Sequence, residues 1–94
     1  MYESQIISYL VDLMEEASRK GFQYPIIAVI VSADSSILVM KWKTFNHGDP
    51  DFEYKFTSVK GPMKSPINVM LVDANGKGAR ALIEKERSAS LMVN

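Results

Sequence analysis

Ninety-four residues and 10.5 kDa suffice for one domain with a single core, and 47% hydrophobic residues place the chain among globular sequences. Eleven basic and eleven acidic side chains cancel, cysteine is absent, and His47 is the single histidine. Disulfide scaffolds, thiol catalysis, cysteine zinc sites, multi-histidine metal sites and bulk polyelectrolyte binding are thereby excluded.

The N-terminus, Met1-Tyr2-Glu3-Ser4-Gln5, has no positive region, and Ser8 and Asp12 break the apolar stretch after it. No signal peptide is expected. Residues 4 to 20 have the period of a helix. Gln5, Ser8, Asp12, Glu15, Glu16 and Arg19 fall on one side; Ile6, Ile7, Leu10, Val11, Leu13, Met14 and Ala17 fall on the other. Ser4 suits an N-cap, and Gly21 after Arg19-Lys20 suits a C-terminal stop. The apolar arc spans roughly 200°, wider than the ~100° that one contact surface requires. Either the helix sinks deeply onto a sheet, or its flank at Ile7 and Val11 meets a partner.

Pro25 opens the run Ile26-Ile27-Ala28-Val29-Ile30-Val31, which predicts a central strand covered on both faces. This longest apolar run is too short for the ~20 residues of a membrane helix, so a soluble cytoplasmic protein is expected. Ala33-Asp34-Ser35-Ser36 is turn chemistry, and Ile37 to Phe45 returns as a second strand. In it Leu38, Met40 and Trp42 should face the core, with Lys41 and Lys43 in water. The segment Asn46 to Asp51 is a loop. Phe52-Glu53-Tyr54-Lys55-Phe56-Thr57 alternates strictly, the clearest strand pattern in the chain. Gly61-Pro62 and Pro66 bound a further loop, and Ile67 to Val72 is another apolar strand. Asp73-Ala74-Asn75-Gly76-Lys77 predicts a hairpin turn with Gly76 in the left-handed position. Ala79 to Lys85 is expected to return as a strand, although its helix propensity is also high.

These elements define an α+β fold: an N-terminal helix packed on an antiparallel meander sheet of about five strands. Residues 1–87 form the single domain, 88–94 a flexible tail, and no internal repeat is expected. A helix followed by a meander is similar in outline to cystatin-like, roadblock and PAS modules. No residue motif accompanies that likeness, and a shared fold does not fix a function.

His47, Asp49, Asp51 and Glu53 are the most site-like cluster, but Asp-Pro-Asp is ordinary turn material. The serines lie outside any G-x-S-x-G turn, and Gly76-Lys77-Gly78 lacks P-loop spacing. Neither a catalytic set, a metal site nor a cofactor is therefore assigned, and the balance leans against an enzyme. Residues 41 to 64 carry five lysines against three carboxylates, net +2, while the first twenty residues are net −2. Lysines interleaved with Trp42, Phe52, Tyr54 and Phe56 would suit stacking of single-stranded bases; alternation, however, turns Trp42 away from Lys41 and Lys43. The leading expectation is a small non-enzymatic protein-interaction module that self-associates as a homodimer through a sheet edge or the helix face. Its candidate contact residues are Ile7, Val11, Lys41, Lys43 and Lys55. The alternative is a small-ligand or single-stranded nucleic-acid binding domain using the Lys/aromatic hairpin 41–64, with nucleic acid the less favoured partner and no membrane contact expected.

Overall fold

Helix α1 spans Glu3–Arg19 in a computed structural model of the chain. The structure describes the backbone of residues 3–44, 51–58, 63–84 and 92–93, and the side chains of residues 6–44 and 63–84. The expected loop around His47, residues 59–62 and residues 85–91 lie outside these.

The helix keeps its expected period. Ile6, Leu10, Leu13, Met14 and Ala17 are fully buried, and Ile7, Tyr9 and Val11 pack against the same core from the flanks. It begins one residue early, so Ser4 falls inside its first turn. Its C-terminus closes as the sequence implies. Gly21 takes φ +83°, its N–H donates to the Ser18 carbonyl at 3.2 Å, and the Phe22 N–H donates to the Ala17 carbonyl at 3.0 Å. That is a Schellman arrangement, accompanied by burial of both Ala17 and Phe22.

Strands β1 (Ile26–Val31), β2 (Ile37–Thr44), β4 (Ile67–Val72) and β5 (Gly78–Ile83) form the antiparallel sheet that carries the core. These four, against about five expected, are the strands whose side chains are described. Backbone pairing adds β3 (Asp51–Ser58) beyond β2 and the two-residue β6 (Met92–Val93) beyond β5. The α+β class and the helix on an antiparallel sheet are as expected, but the strands do not follow one another as a simple meander. Their order is β3-β2-β1-β4-β5-β6, so the chain returns from one edge to the centre and β4 pairs with β1. The reason lies in composition: Ile26–Val31 and Ile67–Val72 are the most continuously apolar strands, and central positions suit them.

Residues 79–83 are strand, as preferred over helix. Ala79, Ala81 and Ile83 join the core, as do Leu38, Met40 and Trp42 on β2, while Lys41 and Lys43 are exposed. Register pairs Phe52, Tyr54 and Phe56 with Trp42, Met40 and Leu38.

An internal repeat is present, contrary to expectation. Residues 22–43 and 63–84 superpose in role at an offset of 41, although their shared letters are sparse (Pro25/Pro66, Ile26/Ile67, Val31/Val72 and Ala33/Ala74). Phe22 and Met63 are both buried, and each is followed by a proline, an apolar strand, a tight turn and a return strand. The turns match bond for bond. Ser32 N–H donates to the Ser36 carbonyl at 3.0 Å, as Asp73 N–H does to Lys77 at 2.9 Å. Ser35 N–H donates to Ser32 at 3.0 Å, as Gly76 N–H does to Asp73 at 3.1 Å. The halves also bond reciprocally: Ala33 N–H to the Lys64 carbonyl and Ala74 N–H to the Gln23 carbonyl, both at 3.0 Å. Val29 pairs directly with its own equivalent, Met70. A local two-fold axis thus pierces the sheet between them.

Candidate interaction surface

One helix can cover one face of a sheet. The alternation of β1 therefore produces two unlike surfaces: Ile26, Ala28 and Ile30 lie in the core, whereas Ile27 is 44% exposed and Val29 and Val31 are half-buried. The expected cover on both faces of β1 is absent among the described residues. Neighbouring strands repeat the pattern. Met70 is 50% exposed, Val72 46% and Leu82 44%, and Ile37 and Val39 are half-buried.

Register arranges these side chains in three rows across the strands. The first runs Lys41–Ile27–Val72–Gly78, the second Val39–Val29–Met70–Arg80, the third Ile37–Val31–Asn68–Leu82. The result is an apolar field that spans four strands and is interrupted by Asn68, with Lys41 at one margin and Arg80 at the other. Exposed apolar surface of this kind marks a contact site far more often than scattered exposed leucines do.

The two turns that bound the field are held by carboxylates. Asp73 is buried; its Oδ1 accepts from the Asn75 and Lys77 backbone N–H groups at 2.9 and 2.7 Å, and its Oδ2 accepts from Gln23 N–H at 2.9 Å. The Gln23 bond foremost, then those of Lys77 and Asn75, holds its carboxyl below the usual range. Lys77 Nζ donates to the Lys20 carbonyl at 2.6 Å and lies 4.9 Å from the Phe22 ring centroid. This β4–β5 turn therefore clamps the C-terminus of the helix. In the equivalent turn Asp34 Oδ1 accepts from Ser32 Oγ and from Ser36 N–H, and the Ser32 bond chiefly depresses its pKa. Across the helix, Tyr24 Oη donates to the Met14 carbonyl at 3.3 Å and pairs with Ser18 Oγ at 2.9 Å. These polar groups are consumed in holding the scaffold.

Of the residues singled out from sequence, Lys41 and Lys43 are exposed on β2, on the same side as the apolar field. Ile7 and Val11 lie on the opposite layer, half-buried against the core. Lys55 pairs with Val39 by register, and its side chain lies outside the described residues. The structure thus joins Lys41 and Lys43 in one surface and separates them from Ile7 and Val11 by the sheet itself. Sequence reasoning missed Ile27, Val29, Val39, Met70, Val72 and Leu82 as a surface. The signal was available: a single helix followed by strands leaves one sheet face over, and that face's alternate positions are apolar.

Among the described residues no three His, Asp or Glu side chains converge as a metal site, and no helix is long and apolar enough to cross a membrane. Comparison with protein-family models, with curated proteins and with solved structures gives no match.

Proposed function

We propose that this chain is a small non-enzymatic protein-interaction module that self-associates. One observation carries the reading: four large apolar side chains, Ile27, Met70, Val72 and Leu82, stand 44–50% exposed on one sheet face, in register and next to half-buried Val29 and Val39. Completing the burial of those four would contribute on the order of 3–6 kcal/mol per copy before the costs of association, at roughly half of the 1.5–3 kcal/mol for a whole side chain. The helix flank at Ile7 and Val11 offers less, because both already pack on the core.

Binding of single-stranded bases by the Lys/aromatic hairpin has less support. Trp42 is fully buried under the helix while Lys41 and Lys43 emerge on the other face, so this ring and these cations cannot grip one ligand together. Light scattering coupled to size exclusion tests the proposal. A mass that rises from 10.5 kDa toward twice that value with micromolar loading supports it. A mass fixed at the monomer value at every concentration refutes it.

A further inference from the structure

The open sheet face has a geometry that selects its occupant, and we infer that it is a second copy of this chain, packed face to face about a two-fold axis that runs along the seam between β1 and β4. This inference rests on the self-association proposed above and adds which surface meets which.

Three observations carry it. The first is area. The molecule measures 32 × 24 × 23 Å, so its broadest face has a footprint of about 770 Å², close to the ~800 Å² per partner of a standard interface. The second is shape. An antiparallel face with apolar residues along its central strands fits another sheet, aligned to within about 30° and about 10 Å away.

The third is the complementarity of the rows with themselves. An axis along the β1–β4 seam lays β1 over the partner's β4, and β2 over its β5. In the central row Val29 then meets Met70 and Val39 meets the aliphatic stem of Arg80. In the first row Ile27 meets Val72, and Lys41 meets Gly78, the one position of the face without a side chain. In the third row Ile37 meets Leu82 and Val31 meets Asn68. Apolar groups therefore cover apolar groups at Val29–Met70, Ile27–Val72 and Ile37–Leu82, Lys41 lies over the smallest residue, and Lys41 and Arg80 do not face each other.

A seam axis excludes the orthogonal alternative. An in-plane axis across the strands would set Arg80 against Arg80 of the other copy in the central row, a like-charge contact in a dry interface.

The chain lacks cysteine, so single cysteines report contacts without background. Lys41→Cys changes an exposed site, and at Gly78 an added Cβ would have ordinary contact only, 3.7 Å from the Leu71 carbonyl. Copies carrying Lys41→Cys are mixed with copies carrying Gly78→Cys and treated with a short bismaleimide. The mixture should give covalent dimer, and either variant alone should give severalfold less. In parallel, Met70→Glu should weaken the dimer more than about tenfold, because each interface would bury two unpaired carboxylates, while its circular dichroism stays that of the natural chain. If light scattering shows a dimer but the mixture cross-links no better than its components, or Val11→Cys alone cross-links instead, self-association stands and this interface is wrong. If the mass is that of a monomer throughout, both fall.

Discussion

Ile26 and Ile27 are adjacent, chemically identical and both on β1, yet the fold assigns them opposite surroundings: 0% and 44% exposure. Threonine at either site keeps the β-branched shape and the strand propensity, so the difference between the variants isolates the face. At Ile26 the change removes the equivalent of about two methylenes, ~1.6 kcal/mol. It also places a hydroxyl in a dry core, at a further 1–3 kcal/mol. The expected cost is about 3–4 kcal/mol. At Ile27 the hydroxyl reaches water and only about half of the transfer contribution is lost, roughly 0.8 kcal/mol. A gap of about 2–3 kcal/mol follows, on the order of 10–20 °C in Tm for a domain of this size. Urea titration at submicromolar concentration, below the loading at which association is proposed, measures it, with equal m-values required of both variants. Under the proposed self-association the Ile27→Thr penalty should grow as the concentration rises, because the variant would gain less from association than the natural chain. Equal costs at the two sites in the dilute monomer would show that the second face is covered within the chain, and the open surface would be gone.

Asp73 sets a pH dependence. Its hydrogen bonds from Gln23, Lys77 and Asn75 hold the folded carboxyl below the ordinary value, so its stabilising contribution is complete above the unfolded pKa of about 3.9 and is lost as pH falls through the lower folded pKa. Asp73→Asn should therefore be less stable than the natural chain at pH 7, and the two urea midpoints should converge in acid; parallel curves would contradict the clamp. The repeat makes Ser35 and Gly76 equivalent, with φ +66° and +82°. Gly76→Ser should cost about 1 kcal/mol, whereas Ser35→Gly should be neutral or slightly stabilising, because left-handed backbone is strained in one case and relieved in the other; thermal melts of both variants decide. Lys77→Met should fray the last helical turn by removing the donor to the Lys20 carbonyl, visible as faster amide exchange at Lys20 and Gly21 with the sheet amides unchanged.

The elements were legible because each follows from short-range pattern. The helix arc, the Gly21 stop, the alternation of Leu38, Met40 and Trp42 against Lys41 and Lys43, and the Asp73–Lys77 turn all follow from side-chain period and turn chemistry. Strand order is a different kind of fact. Nothing local distinguishes a β4 that extends the β3 edge from one that inserts beside β1. The choice is made by which pairing buries most apolar surface, a property of the assembled sheet. The repeat escaped for a related reason. Residues 22–43 and 63–84 share a backbone path and a bonding scheme, and a Ser-Ser turn and an Asp-Gly-Lys turn meet the same donors with different side chains.

The exposed apolar face was hidden by the residue type that reveals it. Ile27, Val29 and Val31 alternate with Ile26, Ala28 and Ile30, so β1 is apolar at both phases and the period cannot say which phase is inside. Period alone therefore predicts cover on both sides. Counting layers resolves it otherwise: one amphipathic helix of seventeen residues covers one face. Apolar residues at the second phase are costly to leave in water and confer nothing on an isolated monomer's core. Their presence on β1, β2, β4 and β5 together, at the three rows that register brings into line, is what supports the proposed partner-facing surface.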